Sequence, residues 1–260
     1  MLKTNNVSYE IDKSTLLKNI SLDLKPSEVT VIMGQNGAGK STLLKLLAGS
    51  LKATEGQVSF LNKNIQSYKE QELAKIRAVL SQNYEISFPV TVEDIVMMGR
   101  YPHYKSEPAI EDHEIINSAL SLMGIKNLKG RYYDTLSGGE AQKVQMARVL
   151  SQIWSSNENE SRILFLDEPV SQLDIHYQYF LLQVARNLTK ENITVIAILH
   201  DLNLALSYAD NIVFLKNGEL VKIYNSINEI DKEIVNKVFD IEMENIKNPF
   251  SDKPHFVVKN

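Results

Sequence analysis

The sequence predicts an α/β fold built on a parallel sheet. Three observations carry that expectation. Val29–Met33, Ile163–Leu166 and the run from Ile193 to Leu199 are short and made of apolar and β-branched residues, as strands buried on both faces of a parallel sheet are. Each run gives way at once to glycine or polar residues, at Gly34, at Asp167-Glu168 and at His200-Asp201. Helical spacing follows the first run, with Leu43, Leu44, Leu46 and Leu47 on one stripe. In open α/β sheets ligands gather at the carboxyl ends of strands, so these three ends are the candidate site.

The 260 residues are 43% hydrophobic and 23% charged, ordinary globular values that supply a sizeable core. No run of about 18 apolar residues occurs, so no bilayer span is expected. The N-terminal "MLKTNNVSYEIDKS" lacks the apolar stretch of a secretory leader. There are no cysteines, which excludes disulfides and thiolate metal sites. The formal net charge of -4 gives no electrostatic case for nucleic acid as a partner.

The first strand runs into Gly34-x-x-x-x-Gly39-Lys40-Ser41, with Asn36, Gly37, Ala38 and Thr42 within and beside it. Strand, glycine loop, helix is the context a phosphate-binding loop requires. Glycines let successive N–H groups turn inward on phosphate oxygens, and the helix N-terminus adds partial positive charge. Lys40 can reach the β- and γ-phosphates, and the Ser41 hydroxyl can ligate Mg²⁺.

The second strand ends in Asp167 and Glu168. Asp167 is expected to hold Mg²⁺ beside Ser41. Glu168 is expected to orient or deprotonate the water that attacks the γ-phosphate. The third ends at His200, which could donate a hydrogen bond to that phosphate.

A further stretch, Leu136-Ser137-Gly138-Gly139-Glu140, opens a helix with Val144, Met146, Ala147, Val149 and Leu150 roughly on one face. A hydroxyl, two glycines and a helix N-terminus suit an anion. One chain already has a phosphate loop, so a second such element makes sense if it serves a nucleotide held by another subunit. With these residues the chain resembles the nucleotide-binding subunits of ABC transporters over nearly its whole length.

That resemblance implies a P-loop NTPase core with a parallel sheet, an N-terminal antiparallel β subdomain and an inserted α-helical subdomain. It implies ATP and Mg²⁺ as cofactors. It implies Tyr9 as the aromatic stacking on adenine, 25 residues before Gly34, and Gln82 as the glutamine that reaches Mg²⁺ and the attacking water. Ser137, Gly138, Gly139 and Glu140 would meet the ATP of the opposing subunit in a head-to-tail homodimer. The loop after the carboxylates reads Val170-Ser171-Gln172-Leu173-Asp174, where the family usually has Thr for Val and Ala before Leu. Neither change removes a catalytic group.

The expected organisation is one ATPase domain. Residues 1–82 and 162–225 form the core with its β subdomain, 83–161 the helical subdomain, and 226–260 a C-terminal appendage. Leu2–Tyr9, Ile20–Lys25 and Gly56–Asn64 read as strands, and Ile227–Asp240 reads as a helix.

"TVEDIVMMGRYPH", Thr91–His103, resembles the importer branch serving iron siderophores, cobalamin and heme. "ARVLSQIW" with the polar stretch to Ser161, "LDIHYQYFLL" and "LHDLNLALSYAD" resemble the hemin-import ATPases within it. Two permease subunits, and indirectly a periplasmic or lipid-anchored substrate-binding protein, are the implied partners. The implied place is the cytoplasmic face of the inner membrane, held there peripherally. A siderophore or cobalamin importer is the alternative. A soluble relative acting on DNA or ribosomes lacks support, because no coiled-coil run and no second nucleotide domain are present. Tyr101, His103 and Tyr104 include axial iron-ligand types, but the expectation is that they pack or face the permease. Gly99, Arg100 and Pro102 are expected to shape a turn there.

Overall fold

The structure, a computed structural model, describes residues 1–81, 86, 88–154, 160–171, 173–249 and 251–259. In chain order it runs β1 (Leu2–Ile11), β2 (Ser14–Leu24), β3 (Val29–Met33), α1 (Lys40–Leu47), β4 (Glu55–Phe60) and β5 (Lys63–Asn64). Then come α2 (Glu70–Ile76), β6 (Arg77–Leu80), α3 (Val92–Met98), α4 (Ile110–Leu122), α5 (Gly138–Ile153) and β7 (Arg162–Asp167). The rest is α6 (Ile175–Leu188), β8 (Ile193–Ile198), α7 (Leu202–Tyr208), β9 (Asn211–Lys216), β10 (Glu219–Tyr224), α8 (Lys232–Phe239), β11 (Met243–Lys247) and β12 (Pro254–Val258).

These elements form two compact units, Met1–Tyr68 with Leu182–Asn260, and Lys69–Leu181. In the first, β1 pairs antiparallel with β2 and β4, and β4 with β5. A separate set places β3 parallel between β8 and β9, with β10 antiparallel on β9. Every residue of β3 and β8 is buried, which explains why both read as apolar runs, broken only by the buried Thr30 and Thr194. Phe214 sits at the centre of an aromatic cluster, edge-on to Tyr224 at 6.0 Å and to Phe239 at 6.2 Å.

The second unit packs α3, α4 and α5 around Val92, Ile95, Val96, Ile116, Ala119, Leu120, Val144, Ala147 and Leu150, all buried. Its strands β6 and β7 are parallel, and all six residues of β7 are buried.

Three expectations are corrected. The strand expected over Gly56–Asn64 is a hairpin, broken at Leu61 and Asn62, whose φ values of 51° and 61° make the mirror-image turn that hairpins favour. Leucine is an unusual choice there, which is why the turn is not visible in the sequence. The strand expected from Ile20 begins at Ser14, because pairing with β1 continues to the register Ile11↔Ser14 through a segment in which only Leu17 is buried. The helix expected over Ile227–Asp240 is a short 3-10 turn followed by α8, interrupted where the Asp231 carboxylate caps α8 by accepting from Ile234 N–H at 3.0 Å.

Candidate nucleotide site

The first unit holds the phosphate loop between β3 and α1. Gly39 caps α1 with φ 93°, a left-handed conformation open to glycine. A methyl there would meet Leu17 Cδ2 at 2.7 Å and Leu16 O at 2.9 Å. The loop therefore lies directly on β2. Tyr9 is the β1 partner of that same Leu17 and is half-buried, so the aromatic is brought to the loop by strand register. Asn36 and Gly37 are exposed, Ala38 is buried, and Ser41 and Thr42 are half-buried in the first turn of α1. Gly37, at φ 81°, has open space where a side chain would stand. The Lys40 ammonium is buried and donates to Gly34 O at 3.0 Å and Gln35 O at 2.9 Å. The loop is thus curled around a cation, with its exposed rim free of side-chain bulk at Gly37.

His200 belongs to the same unit. Ile32 pairs with Ile198, so Gly34 and His200, each two residues further on, leave the same edge of adjacent parallel strands. His200 is exposed, and the next residue caps α7, Asp201 accepting from Leu204 N–H at 2.9 Å.

The second unit holds the carboxylates and the serine-glycine element. Asp167 is buried at the end of β7, and Glu168 follows it half-buried with φ 53°. Left-handed backbone in a non-glycine residue costs of order 1–3 kcal/mol, and such strain concentrates where a side chain must be aimed. Pro169 disfavours the right-handed alternative for the residue before it. The turn is fastened by Ser171 Oγ, which donates to Glu168 O at 3.2 Å, and by Gln142 Nε2 on α5, which donates to Pro169 O. Gln142 was not singled out in the sequence. Nothing in its local pattern marks a contact 27 residues away.

Ser137 caps α5 in a reciprocal box. Its Oγ accepts from Glu140 N–H at 3.3 Å, while Glu140 Oε2 accepts from Ser137 N–H and Oγ–H, both at 2.9 Å. Those bonds, from the Ser137 backbone first, hold the Glu140 carboxyl below its usual range. Ser137 and Gly138 are exposed and Gly139 half-buried, so the first turn of α5 presents its N–H groups outward. Gln82, expected to reach the metal and the water, and Gln172 lie outside the described residues.

The cluster Val96–Tyr104 forms its turn around a buried arginine. The turn is present, His103 N–H donating to Arg100 O at 2.8 Å. Arg100 itself points inward and is 4% exposed. His103 Nε2 lies 2.8 Å from Gln152 O, and Tyr101 meets Tyr104 edge-on at 5.9 Å. Among the described residues no group of three or more His, Cys, Asp or Glu converges on a metal position.

The family described as ABC transporter matches residues 17–171. The hemin import ATP-binding protein HmuV of Gloeobacter violaceus is 43% identical over 223 residues, 86% of this chain and 81% of its own length. That of Pseudoalteromonas translucida is 39% identical over 259 residues, 98% of each. Among solved structures, a chain of an inward-facing ABC transporter described as of metal-chelate type superposes with a TM-score of 0.82 at 26% identity, covering 100% of this chain and 97% of that one. A cassette dimer in a post-hydrolysis state bound to ADP and Pi gives 0.74 at 27% identity, covering 86% and 98%.

Proposed function

The chain belongs to the ABC transporter family of ATP-binding subunits, and on that premise we propose how its residues drive import. It is an ATPase of the hemin importer type. The observation that carries this is the 39% identity to a hemin import ATP-binding protein across 98% of both chains.

In this reading the amides of Gly37, Ala38, Gly39, Lys40, Ser41 and Thr42 cradle the ATP phosphates, with Asn36 at the rim. Lys40 neutralises their charge, and Tyr9 stacks on adenine. The oxygen-only donor set of Ser41, Asp167 and Gln82 is the chemistry magnesium takes. Those residues would hold the ion, which supplies charge neutralisation to the bound phosphates. Glu168, aimed by its left-handed backbone, takes a proton from the attacking water. His200 donates to the γ-phosphate and holds its developing charge. Ser137, Gly138, Gly139 and Glu140 meet the ATP of a second copy in a head-to-tail homodimer, so closure of the dimer requires nucleotide on both sides. The core spans 1–82 and 162–225, the helical subdomain 83–161, and the appendage 226–260.

The homodimer engages two permease subunits and works at the cytoplasmic face of the inner membrane. It couples through them to a periplasmic or lipid-anchored binding protein. No helix among the described residues is long and apolar enough to cross a membrane. The likeness to a metal-chelate type transporter keeps a siderophore or cobalamin importer as the alternative. Reconstitution with permease and binding protein separates the two. Hemin should stimulate ATP turnover; stimulation by a ferric siderophore and not by hemin would overturn the cargo.

A further inference from the structure

The reaction as derived makes no use of the C-terminal appendage, yet that segment touches the phosphate loop. Helix α8 ends at Phe239, and Asp240 closes it in the left-handed conformation. Gln35 Nε2 donates to Phe239 O at 2.8 Å and to Asp240 Oδ2 at 3.1 Å. Gln35 is the second residue of the loop, and its own carbonyl oxygen accepts from Lys40 Nζ at 2.9 Å. One residue therefore has its side chain held by α8 and its backbone held by the loop's ammonium.

The electrostatics of this arrangement need explaining. A helix C-terminus carries partial negative charge, and Asp240 adds a full one, beside a loop built to receive an anion. The charge is met by Lys216, at the end of β9, whose Nζ donates to Asp240 Oδ1 and Lys237 O, both at 2.6 Å. Lys216 also holds the Asp240 carboxyl below its usual range.

The appendage is itself anchored. Phe239 packs edge-on to Phe214. On α7, the Asn203 amide substitutes for a neighbouring strand, donating to Phe256 O and accepting from Phe256 N–H, both at 2.9 Å. Lys253 Nζ donates to Ser207 O nearby.

We infer that the end of α8 positions the phosphate loop through Gln35, which makes Gln35 and Asp240 positioning residues for nucleotide binding. Holding the Gln35 side chain sets the peptide units on either side of it. Those units carry the carbonyl groups that orient Lys40 and lead into the amides that face phosphate. A loop held in its bound shape loses less freedom when ATP arrives. The inference rests on the ATPase reading above.

The test is equilibrium ATP binding by the full chain, with thermal melting alongside. Gln35→Ala and Asp240→Ala should each weaken ATP binding about three- to tenfold, the worth of one hydrogen bond. The double variant should lose less than the two single losses combined, because both remove the Gln35–Asp240 hydrogen bond. Asp240→Asn, which keeps an acceptor oxygen, should bind ATP within about twofold of the parent. A lowered melting temperature with parental ATP affinity in both single variants would make the contact merely structural and overturn the inference. Additive losses in the double variant would do the same. A parent chain that binds no ATP would overturn the ATPase reading and this inference with it. Unaffected variants of a binding parent overturn the inference alone.

Discussion

Arg100 and Asp112 form an ion pair inside the helical unit, Nε to Oδ1 at 2.8 Å, with side chains only 5% and 7% exposed. Arg100 Nη1 also donates to Ser151 O at 2.7 Å and Trp154 O at 2.8 Å, and Asp112 Oδ2 accepts from Ala109 N–H at 2.9 Å. The pair ties the exit of α3 to the start of α4 and the end of α5. Removing one partner of a buried pair strands the other charge, at roughly 3–5 kcal/mol. Asp112→Ala and Arg100→Ala should each lose about that much in urea unfolding. Trp154 is the chain's one tryptophan, so its fluorescence reports the loss locally. Arg100→Lys should not rescue, since one ammonium cannot reproduce the guanidinium's fan of donors. Parental unfolding midpoints in these variants would refute the keystone role.

The same unit should weaken in acid. Burial pushes His103 below its ordinary value, against the hydrogen bond to Gln152 that acts the other way. A histidine with a lowered folded pKa binds protons more readily when unfolded, so its contribution is present above about pH 6.5 and is lost as pH falls below it. For Asp112, burial raises the pKa, but hydrogen bonds from Arg100 and Ala109 together hold it below the usual range. Its contribution is lost only further down, as pH falls through the carboxylate range below about 4. Unfolding midpoints at pH 8 and pH 5.5 should differ in the parent and differ less in His103→Gln. Equal pH dependence in both proteins would rule out His103 as the source.

Gly99 stands where α3 presses against α5. A methyl there would lie 2.2 Å from Arg148 O and 2.3 Å from Ser151 Oγ. Ser151 Oγ is not free to move aside, because it sits between Val96 O at 2.9 Å and Arg148 O at 2.8 Å, the acceptors for its one proton. Gly99→Ala should therefore destabilise by about 1–3 kcal/mol through overpacking. A melting temperature equal to the parent's would show that the helices can separate without cost.

For the chemistry, Glu168→Gln should retain ATP binding and lower turnover about 10²- to 10⁴-fold, the usual worth of a general base. Lys40→Ala should abolish turnover and weaken ATP binding as well, because its ammonium lies within the loop. Phosphate release and nucleotide binding measured on both variants separate the roles. Parental turnover in Glu168→Gln would remove it from the mechanism.

Ser137→Arg should leave ATP binding by the same chain near the parental value while preventing a nucleotide-dependent dimer, seen as a loss of mass shift in light scattering. A fall in ATP affinity as severe as the fall in turnover would place Ser137 at its own chain's nucleotide instead. The cap should also suffer, since replacing a serine N-cap costs about 1 kcal/mol.

Much of this was written into the sequence in local form. Val29–Met33 and Ile193–Ile198 are apolar but for Thr30 and Thr194 because both faces of β3 and β8 are covered. Gly39 is glycine because the backbone before α1 turns left-handed. Ser137 and Glu140 stand three apart because a helix start needs its free N–H groups met. Each of these is a rule about neighbours in the chain, so composition and spacing reveal it. The hairpin turn at Leu61-Asn62 was hidden because pairing, not turn chemistry, imposes it.

What only the tertiary structure decided is which side chains serve partners distant in sequence. Arg100 was legible only as part of a turn; its side chain is 4% exposed, because its acceptors lie at Asp112, Ser151 and Trp154. Gln35 looked like one of the interchangeable positions of the phosphate loop. Its partners Phe239 and Asp240 are 204 and 205 residues away. Spacing along a chain carries no information about a bond of that reach, which exists only once the strands between have folded and brought the two ends together.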